Sequence, residues 1–165
     1  MADKSGVSLN WGGLDRALNR AGRNLSNRQA LLDSVGEALV SGTLARFDTE
    51  KAPDGTPWEP SRRAQEEGGK TLTDTARLRN SIDYATAGDK VLVGSNLKYA
   101  RIHQKGGIIR PKKAKRLLFK GRDGSMVSAK EVTIPARPYL GVSKDDRDEV
   151  KETIAEFMAG AFRGK

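Results

Sequence analysis

The sequence predicts an α+β fold: a small, mainly antiparallel sheet flanked by two long helices, with an extended basic β-hairpin reaching beyond it. Three observations predict this. Apolar residues recur at helical spacing from Ser26 to about Glu50, and again from Ser143 onward. Between these runs, Ile82, Tyr84, Val91 and Val93 alternate around Ala87-Gly88-Asp89, the pattern of a β-hairpin. A second alternating stretch, residues 108–134, carries a dense run of lysine and arginine. The expected organisation is an N-terminal arm or short helix over residues 1–25, then one α+β domain over 26–165 that includes the basic hairpin.

Taken in order, residues 1–25 show only a weak apolar pattern at Leu14, Leu18 and Ala21. The first strong helix is capped by Ser26 or Asn27 and repeats Leu31, Leu32, Val35, Ala38, Leu39 and Gly42. Gly36 and Gly42 each cost this helix roughly 1 kcal/mol relative to alanine, so their use implies close approach of another element. "APDGTPWEP" ends regular structure; Pro53 presets one turn dihedral and Gly55 accepts a positive one. Trp58, held between Pro57 and Pro60, reads as a plug folding that loop onto the core, with an exposed anchor as the alternative. "LTDTARLRNSI" predicts a short helix capped by Thr73 or Asp74, turning Leu72, Leu78 and Ile82 inward. "NLKYARIHQKGG" predicts about two helical turns with Tyr99, Ile102 and His103 near one face, closed by Gly106-Gly107.

The basic hairpin follows, with Leu117, Leu118 and Phe119 on one arm, Met126, Val127, Val132 and Ile134 on the other, and a tip near Gly121–Gly124. Lys112, Lys113 and Lys115 sit at its base. "TIPARPYLGVSKDDRDEV" then leads into the last helix. Pro135 and Pro138 fix their own φ and push Ile134 and Arg137 into extended conformation, so Arg137 lies in a stiff strut. Neither proline can donate a ladder bond, which excludes a central strand here. Gly141 and Ser143 turn the chain into a helix whose first turn holds Asp145, Asp146 and Asp148 in a capping-box-like pattern. Val150, Ile154, Phe157, Met158 and Ala161 form its packing stripe.

Composition narrows function. A chain of 165 residues with 36% hydrophobic and 5% aromatic residues forms one thin core, of the kind that leans on partner subunits for burial. No apolar run approaches the roughly 20 residues needed to span a bilayer, and no signal-peptide pattern opens the sequence. A soluble protein made in a cytoplasm, without membrane contact, is the expectation. The absence of cysteine removes disulfides, thiol catalysis and cysteine-ligated zinc, and one histidine removes sites that need two imidazoles.

The net charge of +9 is concentrated. Residues 101–130 hold ten basic side chains against Asp123 alone, while the remaining 20 basic and 20 acidic residues cancel. Such localisation implies an anionic partner or an acidic protein surface, the alternative being a solvated loop. For catalysis, His103 would need Asp83 or Asp89 to orient it and Ser81 or Ser95 as nucleophile, and no nucleophile-elbow or phosphate-loop spacing accompanies them. A hydrogen-bonded structural histidine is the preferred reading. No carboxylate-metal pattern is present. No enzyme activity, cofactor or metal is expected.

Three segments together carry a resemblance: "FDTEKAPDGTPWEP", "VLVGSNLKYARIHQKGG" and "IPARPYLGVSKDD". In this order they resemble the phage virion morphogenesis proteins, which include tail-completion proteins of contractile-tailed phages and of Mu-like prophages. The resemblance spans roughly residues 26–160 and rests on Trp58, Tyr99, His103, Gln104, Pro135, Pro138 and Gly141, expected to be structural. It implies a structural virion protein at the head-proximal end of the tail. Such a protein completes the tail and joins it to the head, as a ring of six around the DNA channel.

Expected partners are other copies of the chain, tail tube or terminator proteins, head connector proteins, and packaged DNA through non-specific contact. The expected location is the head–tail neck of a virion assembled in the bacterial cytoplasm. Within this frame, Arg137, Tyr139 and Leu140 are expected at a subunit or partner interface, with Arg137 paired to a carboxylate inside the subunit or across the ring. Arg110, Lys112, Lys113, Lys115, Arg116, Lys120 and Arg122 are expected to contact DNA phosphates or an acidic partner. The rival is a free, non-sequence-specific nucleic-acid-binding protein acting through residues 101–130, against which Phe119 is the only aromatic there for base stacking.

Overall fold

Helix α1 (Arg28–Thr49) is the element against which the central hairpin and the last helix pack. Its apolar spacing places Leu31, Leu32, Val35, Leu39 and Phe47 on one broad buried face. The computed structural model describes residues 7–8, 28–121 and 124–163. Of the N-terminal arm, strand β1 (Val7–Ser8) is described; the short helix considered around Leu14, Leu18 and Ala21 lies outside the described residues.

Strands β2 (Ile82–Ala87) and β3 (Lys90–Ser95) form the predicted hairpin, turning at Gly88-Asp89 with Ala87 opposite Lys90. β1 adds to β3, giving an antiparallel sheet of order β1-β3-β2. Ile82, Val91 and Val93 point inward and are buried, while Asp83, Ala85 and Ala87 face solvent. The sheet lies on α1. It comes close at Gly36, where any side chain would run into the Tyr84 ring.

Helix α4 (Lys144–Arg163) packs on α1. α1 thus lies against both the sheet and α4. Val150 is fully buried at the centre of this contact, with Ile154 and Phe157 half-buried beside it. The burial of Ala161 lies outside the described residues.

Two local expectations are corrected. "LTDTARLRNSI" forms turns and one 3-10 turn (Arg79–Ser81), not a helix capped by Thr73 or Asp74. Leu72 and Ala76 take left-handed φ of 61° and 55°, which no α-helix accommodates. Tertiary bonds hold that shape: Thr71 N donates to Glu50 Oε1 at 2.5 Å, and Ser61 N donates to Thr71 Oγ1 at 3.2 Å. A short helix α2 (Arg62–Glu67), capped by Ser61 Oγ accepting from Ala64 N, precedes it. Helix α3 (Ala100–Lys105) forms as the sequence predicts.

The basic hairpin is also more divided than expected. It consists of two separate antiparallel ladders, β4 (Gly107–Ile109) with β7 (Val132–Ile134), and β5 (Leu117–Lys120) with β6 (Met126–Ala129). The first ladder joins the arm to the body, and the second is its outer end.

Arg46 ties α1 to α4 in a way composition did not reveal. Its guanidinium pairs with Asp146, and its Nη1 also donates to Tyr139 O at 3.0 Å. Asp146 also closes the cap of α4: its Oδ2 accepts from Ser143 N at 2.6 Å, and its own N–H donates to Ser143 Oγ at 3.0 Å. Gly42 is a glycine because the Asp146 carboxylate occupies the place of its missing side chain. Both charges are buried, so removing one strands the other. Asp146→Ala should lower unfolding stability by about 3–5 kcal/mol, while Arg46→Met with Asp146→Leu should cost clearly less. Urea titration of the three proteins checks this, and equal losses would contradict it.

Candidate assembly site

The prolines make residues 135–140 an extended segment with no strand partner, so its polar backbone needs side chains to bond it. Gln104, on α3, supplies most of them. Its Oε1 accepts from Tyr139 N at 3.0 Å and from Leu140 N at 2.9 Å, while its Nε2 donates to Leu140 O at 2.9 Å. One side-chain amide thus does the work of a neighbouring strand. Arg137 N donates to His103 O at 2.7 Å, and Trp58 Nε1 donates to Pro138 O at 2.9 Å.

The side chains of the strut point into this chain's own body. Tyr139 is fully buried, its ring 5.3 Å from that of Phe47 and its hydroxyl donating to Ala100 O at 3.0 Å. Burial pushes its phenol up to about 12. Leu140 is buried in the same cluster. Arg137 is buried too, its Nε donating to the Glu59 main-chain carbonyl at 2.6 Å. The expectation that Tyr139 and Leu140 anchor a partner is therefore corrected: their surfaces are already covered within the subunit. The bond found for Arg137 is to a carbonyl, with the Glu59 charge contributing through space.

Two glycines let the strut sit this close. A side chain at Gly141, whose φ is 156°, would meet the Pro53 ring, and one at Gly106 would come within 2.7 Å of Ala136 N. The three resemblance segments, far apart in sequence, thus meet in space: Pro53 and Trp58 from the first, Gln104 and Gly106 from the second, the strut from the third.

Among the described residues, no Asp is hydrogen-bonded to His103 Nδ1 to orient its ring. Its Nδ1 is buried with no hydrogen-bond partner, Tyr99 stands edge-on to it at 5.9 Å, and Ser81 and Ser95 bond each other at 2.7 Å. The His103 main-chain carbonyl accepts from Arg137 N, and the ring bond expected for the histidine is absent at Nδ1. Among the described residues, no group of three His, Asp or Glu could hold a metal ion.

β7 runs directly into the strut, so the basic arm is rooted in this clamp. Of the cations expected on the arm, Arg110 pairs with Glu131 at 2.9 Å across the first ladder, and Arg116 Nε donates to Ser128 Oγ at 2.7 Å. Lys112, Lys113, Lys115 and Lys120 are exposed and form no ion pair among the described residues. Arg122 lies outside the described residues.

Burial, and then the nearby Arg137 guanidinium, hold the His103 imidazole below its ordinary value of 6.5. A depressed folded-state value means the unfolded chain takes up the proton first. The contribution is present above pH of about 6.5 and is lost as pH falls toward the folded-state value. The melting temperature should fall on acidification through this range, and His103→Gln should flatten that part of the profile. Identical profiles for the two proteins would contradict this.

Comparison with known proteins is consistent with this geometry. The phage virion morphogenesis family matches residues 9–159, a span that takes in the clamp, the arm, α1 and most of α4. The chain is 29% identical over 142 residues to the Mu-like prophage FluMu G protein 2 of Haemophilus influenzae, covering 86% of each chain. It is 30% identical over 156 residues to the putative capsid assembly protein G of Escherichia phage Mu, covering 89% of each. No solved structure gives a significant match. With nearly its whole length matched, this chain belongs to the phage virion morphogenesis family.

Proposed function

We propose that this chain is a non-catalytic structural component that completes a phage tail and joins it to the filled head, acting as a ring of six around the DNA channel. The observation that carries the reading is a basic arm with four exposed lysines that form no ion pair among the described residues, rooted in a rigid and largely buried clamp. A rigid root supports attachment, because an arm already ordered loses little entropy when it binds. The phage Mu relative is described as a capsid assembly protein, which supports a role in building the particle. On this reading the partners are tail tube or terminator proteins and the head connector, and the location is the neck. No described helix is long and apolar enough to cross a membrane.

A second reading, non-specific contact with DNA, is favoured by the concentration of the whole charge surplus in residues 101–130. Phosphate contact would make binding fall steeply with salt, by a log–log slope of roughly 0.9 for each phosphate neutralised.

Changing Lys112, Lys113 and Lys115 together to Glu should leave the circular dichroism spectrum and melting temperature unchanged. In a phage carrying the change, unjoined heads and tails should accumulate and titre should collapse. Normal titres would refute both readings. Duplex binding measured across a salt series separates them: no binding even at low salt removes the DNA reading.

A further inference from the structure

The outer ladder of the arm pairs Leu118 with Ser128 and Lys120 with Met126. Directly opposed residues share a face of a β-ribbon, so Leu118, Lys120, Met126 and Ser128 lie on one side, with Arg116 bonded beside Ser128. Leu118 and Met126 are each 68% exposed, the most exposed large hydrophobic residues among those described. A two-stranded ribbon in water is marginal by itself. Phosphates would neutralise its cations but leave the apolar centre of this face in water; a protein surface covers both.

Helix α4 presents the complement. Asp145, Glu149, Glu152 and Glu156, spaced by four, three and four residues, form one exposed stripe away from the buried Val150 side. Like charges at these spacings cost a helix a few tenths of a kcal/mol per pair. None of the four forms an ion pair among the described residues; Lys151 pairs instead with Asp148. Exposed Ala155 and Ala159 border the stripe, leaving a low apolar strip on which a ribbon can lie flat. No ion pair joins the arm to α4 of the same chain among the described residues.

We infer that the Leu118–Met126 face of the arm docks on the acidic stripe of α4 in a second copy of this chain, with Lys120 and the lysines at 112, 113 and 115 reaching its carboxylates. Two different patches of one chain then meet head to tail, the contact type that closes into a ring when the rotation allows. The inference rests on the ring reading above and names the surfaces that build the ring.

The test uses two charge-reversed full-length proteins, one with Lys112, Lys113 and Lys115→Glu, the other with Glu149, Glu152 and Glu156→Lys. In sedimentation velocity at low salt, wild type should assemble and each variant should run as a folded monomer. Mixed in equal amounts, the variants should assemble again, because each arm then meets a stripe of opposite charge. If each is monomeric and the mixture stays monomeric, the pairing is overturned. If both variants assemble like wild type, another surface builds the oligomer: the ring reading stands and this inference falls. Wild-type protein that is monomeric at low salt overturns both.

Discussion

The structure depends on how the chain satisfies the backbone of a segment that its prolines have barred from a central strand. Residues 135–140 have polar groups but no strand neighbour, and most of that stretch is carried through the interior. An unpaired buried N–H or C=O costs about 1–3 kcal/mol. Gln104 meets two N–H groups and one C=O with a single amide, and Trp58 and the His103 carbonyl take further groups. The prolines and the glutamine therefore belong to one device: the prolines fix the shape, and the glutamine makes that shape tolerable inside the protein.

From this device the rest of the molecule takes its position. The Tyr139 carbonyl accepts from Arg46, which pairs with Asp146, so the clamp, α1 and the start of α4 are joined through one guanidinium. Upstream, the strut continues into β7 and so aims the basic arm. A chain with 36% hydrophobic residues has a thin core, and these buried polar bonds, unlike apolar packing, specify one arrangement. The cost falls at the arm, where Leu118 and Met126 stay in water until something covers them.

Much of this was legible in the sequence, and what escaped has a physical cause. Local periodicity found α1, α4 and the β2–β3 hairpin, because each follows from nearest-neighbour spacing. It also marked the strut as stiff, since the proline constraint is covalent. Periodicity misjudged the 72–81 segment, where Leu72 and Ala76 take left-handed φ and the preceding Thr71 is bonded to Glu50 and Ser61, residues outside the segment. The resemblance segments named Gln104 without showing what it bonds. The sequence does not tell which way Tyr139 and Leu140 face, because a rigid segment next to an arginine carries no sign of its buried side. Arg46 could have been suspected, since it continues the buried spacing of Leu39 and Thr43, but a partner 100 residues away leaves no mark in the spacing.

The central claim, that Gln104 holds the strut and through it the arm, is tested most directly by amide hydrogen exchange in wild type and in Gln104→Met. The account predicts that the variant loses protection at Tyr139 and Leu140 and in β7, while the amides of α1 stay slow. Unchanged protection along the strut and β7 would contradict it.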